Sequence, residues 1–155
     1  MEESAMRLRE LMSTHVVTIA PDADLVEASR QMRKHHVGFL IVIKPSPRGG
    51  GVLVGVLTDR DIVIQTLARD VDPHAVTVAD IMTAEVMTAR EDEGLATLLT
   101  RMRKAGIHRV PIVNGAGMVM GIVSVDDVIR CIAGLAELLA DTVKLSRRLE
   151  RRKRS

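Results

Sequence analysis

Apolar and polar positions along the chain fall into a pattern that occurs twice. Residues 16–19 (Val-Val-Thr-Ile) form a short β-branched run stopping at Pro21, which predicts a strand. Asp24 with Glu27 reads as a capping box, opening a helix in which Leu25, Ala28 and Met32 recur at helical spacing. Residues 37–43 and 52–57 are apolar enough to be buried strands, and the Gly- and Pro-bearing segment between them is a loop. Thr58 then starts a second helix, with Asp61 three residues on. The same order returns downstream. A first strand carries Met87, a helix follows the weaker cap Gly94, strands cover 107–113 and 118–123, and Ser124 with Asp127 opens the last helix. A leading helix over 5–12 is echoed at 78–82, after an Asp72-Pro73 turn. Each half has about 60 residues, too few to be stable alone, so the two are expected to cover each other's apolar faces as a pseudo-twofold pair.

The duplication is visible residue by residue. At an offset of 70, Leu11-Met12-Ser13 meets Ile81-Met82-Thr83, Val16-Val17-Thr18 meets Val86-Met87-Thr88, and Met32-Arg33-Lys34 recurs unchanged as Met102-Arg103-Lys104. Past the loop the offset falls to 66, where Gly55-Val56-Leu57-Thr58 meets Gly121-Ile122-Val123-Ser124 and Asp61 meets Asp127. The first copy's loop is four residues longer and holds Pro45, Pro47 and Gly49-Gly50-Gly51, an insertion suited to a surface turn.

Taken together and in order, these duplicated motifs resemble a tandem pair of CBS domains, the arrangement called a Bateman module, in its small stand-alone form. The resemblance implies a mixed α/β (α+β-like) fold of two pseudo-twofold related β-α-β-β-α units in one module, plus a C-terminal helix. The units map to residues 8–69 and 78–133, with linker and leading helix over 70–80 and a C-terminal helix and basic tail over 134–155. It implies regulatory binding of an adenosine-containing ligand (AMP, ADP, ATP or S-adenosylmethionine) in the cleft between units, without catalysis and without a bound cofactor or metal. It also implies a homodimer of modules packed through helices.

Candidate binding residues each carry two readings. Thr58-x-x-Asp61 and Ser124-x-x-Asp127 are explained as helix caps, the hydroxyl and acid satisfying free N–H groups. The same geometry offers phosphate oxygens a helix N-terminus and a ribose a carboxylate, the role that Asp61 and Asp127 inherit from the resemblance. His108 and Arg109 face solvent or a surface acid in one reading and ligand phosphates in the other. The first copy has Gly38-Phe39 there, and its basic supply is Arg60. Val17, Met87, Val37 and Ile107 are core residues or walls for the base, for which no aromatic ring is expected to be available. By resemblance, one site joins Ser124, Asp127, His108 and Arg109 to Ser13, His15 and Val17. The other joins Thr58, Arg60 and Asp61 to Thr83, Glu85 and Met87. Glu85 would repel a phosphate, so the Ser124 site is expected to be the occupied one.

Composition narrows the classes further. The 46% hydrophobic and 27% charged content fits a globular protein, and the run 37–43 is too short to span a bilayer. An acidic start (Met1-Glu2-Glu3) argues against a secretory leader, and the one cysteine, Cys131, rules out an internal disulfide; a cytoplasmic location is expected. With Phe39 the one aromatic residue, stacking on single-stranded nucleic acid is disfavoured. No nucleophile–base pair stands out, and the five histidines lack metal-type spacing. The net charge of +2 conceals a basic tail: seven Lys and Arg against Glu150 from Lys144 onward, leaving 15 basic and 19 acidic residues upstream, a body at −4. The competing function is accordingly a protein or nucleic-acid interaction through that tail, with a vestigial cleft. Leu135, Leu138, Thr142, Leu145 and Leu149 follow three–four spacing, so the last helix is expected to pack on the module and on a second chain, with residues 151–155 frayed.

Overall fold

The computed structural model describes residues 6–47 and 49–153, with side chains through 150. Its first half contains β1 (Thr18–Ile19), α1 (Leu25–His35), β2 (Phe39–Pro45), β3 (Gly51–Thr58) and α2 (Asp59–Gln65). After a short helix, α3 (Val78–Ile81), come α4 (Leu95–Ala105), β4 (Arg109–Val113), β5 (Val119–Ser124) and α5 (Val125–Lys153). β1 runs parallel to β2, and β2 antiparallel to β3, with Phe39 opposite Thr58. In the second half β4 and β5 pair alone, with Arg109 opposite Ser124. The expected first strand there contracts to one parallel bridge, Ala89 to Ile112.

Local chemistry explains most boundaries. Asp24 caps α1 by accepting from Glu27 N at 2.7 Å. The reciprocal arm expected of a capping box does not form, because Glu27 Oε1 accepts from Gln31 Nε2 instead. Both α1 and α4 stop on a left-handed residue, His36 (φ 54°) and Gly106 (φ 66°). The leading segment is shorter than the helix expected over 5–12: a 3₁₀ turn at Leu8–Glu10, residue 5 lying outside the described residues. Of the tail expected to fray, residues 151–153 continue α5, and 154–155 lie outside the described residues.

Two cores form, and they exchange segments. The first gathers Leu25, Ala28, Met32, Leu40, Val42 and Leu57 around Val78, which belongs to the second repeat. The second gathers Leu98, Met102, Val110, Ile112 and Val123 around Leu8, which belongs to the first. Backbone bonds lock the exchange. Ser13 and Ile122 exchange two at 2.9 Å; Thr83 N donates to Val56 O at 2.9 Å, and Val56 N to Thr83 O at 3.0 Å. The packing units are therefore not contiguous stretches of chain: each borrows its leading turn from the other.

Candidate functional site between the two units

The exchange places two clefts about the pseudo-twofold axis. In each, a capping motif from one unit faces the first-strand and second-strand entries of the other.

Cleft one has a volume of about 410 Å³, within the range of small-molecule sites. Thr58 and Asp61 line it from the first unit, and Thr83, Glu85, Val86 and Met87 from the second. Ile107, His108, Arg109 and Pro111 close another side, with Phe39 and Val56. Asp61 Oδ2 accepts from Thr58 N at 2.9 Å and Thr58 Oγ1 at 2.7 Å, while Asp61 N donates to Thr58 Oγ1 at 3.1 Å. This reciprocal box ties up one carboxylate oxygen; Oδ1 has no protein hydrogen bond among the described residues.

Cleft two is smaller, about 220 Å³. Ser124, Asp127 and Arg109 line it with His15, Val17, His36, Val37 and Phe39. Ser124 N and Oγ donate to Asp127 Oδ2 at 3.0 and 2.5 Å, and Asp127 N donates to Ser124 Oγ at 3.2 Å. Here the second oxygen is also taken, since Arg130 Nη2 donates to Asp127 Oδ1. Burial pushes the Asp127 carboxyl upward, but the bonds from Ser124 and Arg130 outweigh it and hold the group below its usual 3.8.

Several assignments change. His108 lines cleft one and not the Ser124 cleft, and Arg109 lines both clefts. The reason is topological: second-strand entries cross the pseudo-axis to the other unit's helix start, just as first strands do. Within each unit the second-strand entry is also tied to its own helix start: Val125 N donates to the His108 carbonyl at 2.9 Å, as Asp59 N does to Gly38 O at 3.1 Å. Arg60 lies exposed outside the cleft-one lining, its N donating to Asp59 Oδ1 at 2.8 Å. Ser13 is absent from the cleft-two lining; its main chain pairs with β5 and its Oγ accepts from His15 N at 3.3 Å. Phe39, to which no cleft role was assigned, lines both. The Ser124 site was expected to be the occupied one because of Glu85 in the other; Glu85 does line cleft one, but His108 and Arg109 line it as well.

Two further features escaped the sequence reading. Arg101 Nη1 donates to both oxygens of Glu93 (2.8 and 2.9 Å) and its Nη2 to Thr88 O at 2.7 Å, pinning the strand segment that carries Met87. Thr77 and Asp80 form a third capping box, 2.7 Å from Oγ1 to Oδ2, on α3 and away from both clefts. A Thr-x-x-Asp is thus a helix cap on α3 as well as on α2, with or without one of the two clefts beside it. Among the described residues, no three His, Cys, Asp or Glu side chains are grouped to hold a metal, and no helix is long and apolar enough to cross a membrane.

Comparison with known proteins agrees with this architecture. The CBS domain family matches residues 8–65 and 78–134. The CBS domain-containing protein YhcV of Bacillus subtilis is 33% identical over 120 residues, covering 77% of this chain and 81% of that protein. The solved CBS domain pair of protein MJ0100, in complex with 5′-methylthioadenosine and S-adenosyl-L-methionine, aligns with a TM-score of 0.71 at 29% identity, over 84% of this chain and 98% of that one. A hexameric CBS-CP12 protein from bloom-forming cyanobacteria aligns at 0.69 and 26% identity, over 82% of this chain and 68% of that one. With family matches over both repeats and an exchanged two-unit fold, the chain belongs to the CBS domain family as a tandem pair.

Proposed function

We propose that the protein is a non-catalytic regulatory module that binds an adenosine-containing small molecule in cleft one. The observation carrying this reading is Asp61: it lines a 410 Å³ cavity while its capping box engages one carboxylate oxygen, leaving the other for a ribose. Phe39, Val56, Met87 and Ile107 supply apolar walls for a base. His108 and Arg109 supply cationic partners for phosphates, and Glu85 a partner for a cationic group, so AMP, ADP, ATP and S-adenosylmethionine all fall within its chemistry. The adenosine-type ligands of the MJ0100 pair support the class. Cleft two, smaller and with both Asp127 oxygens engaged, is the weaker site.

Titration calorimetry with these four ligands tests the reading. Losing a charge-assisted bond costs about 1.5–3 kcal/mol, so Asp61→Ala should weaken the tight site at least tenfold, and Asp127→Ala should leave it nearly unchanged. Equal affinities for Asp61→Ala and the parent would refute the assignment.

The same module is read as a homodimer. Val63 on α2 and Ile129 on α5, equivalent in the repeat, are 50% and 58% exposed, with Ile64, Leu67 and Ile132 beside them. Such paired apolar faces call for a partner, and the hexameric CBS-CP12 relative supports assembly. Light scattering at micromolar concentration tests it; a monomer would refute it.

A further inference from the structure

The expectation that α5 packs on its own module fails beyond its first two turns. Val128 is buried in the second core, and Cys131 Sγ lies 3.9 Å from Met6 Sδ. From there α5 leaves the body, and every residue from 132 to 150 is exposed. Leu135, Leu138, Leu145 and Leu149 stand 48–66% exposed along one seam, an apolar stripe that isolated helices do not leave in water. Thr142 completes it: its Oγ1 donates to Leu138 O at 2.9 Å, so the hydroxyl is satisfied and the methyl is free to enter an apolar contact.

Charge along this segment is segregated by height. Residues 132–143 carry Glu137 and Asp141 and no base, whereas residues 144–153 carry Lys144, Arg147, Arg148, Arg151, Arg152 and Lys153 against Glu150 alone. A parallel pair of such helices sets six bases beside six bases. An antiparallel pair separates the two basic ends and brings Lys144 near Glu137.

We propose that the projecting part of α5 packs antiparallel against the same segment of a second copy, centred near Ala140. That register sets Leu135 against Leu145 of the partner subunit, Leu138 against Thr142 of the partner subunit, and Leu149 near Cys131 of the partner subunit. In that register Glu137 lies opposite Val143 of the partner subunit and next to Lys144 of the partner subunit, while the basic residues 147–153 lie opposite the partner's segment 127–133 and away from each other. Residues 132–149 span about 27 Å at 1.5 Å per residue, short of an independent coiled coil, so the contact rests on the homodimer reading and supplements it. A bilayer surface is a poorer occupant. An interfacial helix sets Lys and Arg all along its apolar face, whereas here the bases flank only the end of the stripe from Lys144 on, and two acids flank the rest.

Cysteine cross-linking in a Cys131→Ser background decides the geometry. Leu135→Cys and Leu145→Cys, oxidised separately, should stay uncross-linked; co-expressed, they should give a disulfide-linked dimer. Homotypic cross-links from either variant alone would mean parallel helices and overturn the proposal. A dimer by light scattering without any cross-link would overturn it while leaving the homodimer standing; a monomer would remove both. If the cysteine variants fail to fold, Glu137→Lys, at an exposed position, should raise the dimer dissociation constant several-fold, since twofold symmetry counts the lost pair twice. Adding Lys144→Glu on the same chain should restore it. An unchanged dissociation constant for Glu137→Lys, or no recovery on adding Lys144→Glu, overturns the proposal, as does binding of the full chain to anionic vesicles or duplex DNA as a monomer.

Discussion

Gly121→Ala is the sharpest test of the exchanged architecture, because the same substitution elsewhere in the chain has the opposite sign. A Cβ at Gly121 would stand 2.7 Å from the Ser13 main-chain oxygen and 3.1 Å from Met12 Sδ. The first of these cannot rotate away, since Ser13 O accepts from Ile122 N and Ser13 N donates to Ile122 O, both at 2.9 Å. Relieving the contact separates the borrowed leading segment from β5. Two backbone bonds at about 0.5–1.5 kcal/mol each place the loss near 2 kcal/mol, in line with overpacking penalties of about 1–3 kcal/mol. A chain of this length should lose about 4–8 °C in melting temperature for that amount. Gly134, by contrast, lies in the projecting part of α5, where a Cβ meets nothing within 4 Å. Gly134→Ala should gain about 0.5–1 kcal/mol of local helix stability, read as a stronger helical circular dichroism signal with no fall in melting temperature. Thermal and urea melts of both variants settle the matter. A Gly121→Ala protein as stable as the parent would refute the close approach of Ser13, and with it the exchange.

Three other outcomes follow from the clefts. Arg109→Ala removes a cation that lines both cavities, so calorimetry should show AMP or ATP weakened about tenfold or more while adenosine is unaffected; equal losses would contradict a phosphate role. Arg101→Ala frees the Glu93 and Thr88 contacts, and hydrogen exchange should accelerate at residues 86–89 with a stability loss of about 1 kcal/mol; unchanged protection there would refute the anchor. The Asp127 carboxyl, held below 3.8, stabilises the fold fully above that value, and the contribution disappears as pH falls through the lower folded-state value. Asp127→Asn should therefore melt lower than the parent at pH 7, the gap closing as the pH is taken below 3.8; a gap that persists in acid would refute the cap.

Legibility in the sequence followed the range of the interactions. β2, β3, β4 and β5 are continuous apolar runs buried by their neighbours, so local pattern alone located them within about two residues. The second copy's first strand was less legible because Thr88 O is held by the Arg101 side chain and only Ala89 bridges β4, leaving no ladder for a pattern to report. Membership of the clefts was partly legible. Thr58 and Asp61 meet Thr83, Glu85 and Met87 in one, and Ser124 and Asp127 meet His15 and Val17 in the other. The side to which His108 points depends on contacts more than forty residues away, and nothing in the adjoining sequence carries that information. Phe39 was misjudged for a related reason. It stands where the second copy has Arg109 and was given no part in binding the base, yet it begins β2 opposite Thr58, where a strand entry borders both cavities.

The exchange also explains why the repeat keeps glycine where it does. Gly55 and Gly121 begin the Gly-hydrophobic-hydrophobic-Thr/Ser motif, and each lies where the other unit's leading segment crosses the sheet: a Cβ at Gly55 would reach 3.1 Å from Thr83 O, as one at Gly121 reaches 2.7 Å from Ser13 O. Three residues later the same strand ends in the hydroxyl that caps the helix and borders the cleft. Close approach and ligand geometry are thus set on one short stretch of backbone. A displacement of Thr83 must move the wall of cleft one, and through Val56 it must move Thr58 as well, because Val56 and Thr83 exchange both backbone bonds. Arg109 and Phe39, shared between the cavities, extend that linkage across the axis. A ligand bound in one cleft would therefore act on groups that also line the other, the shared contact that coupling between the two would require.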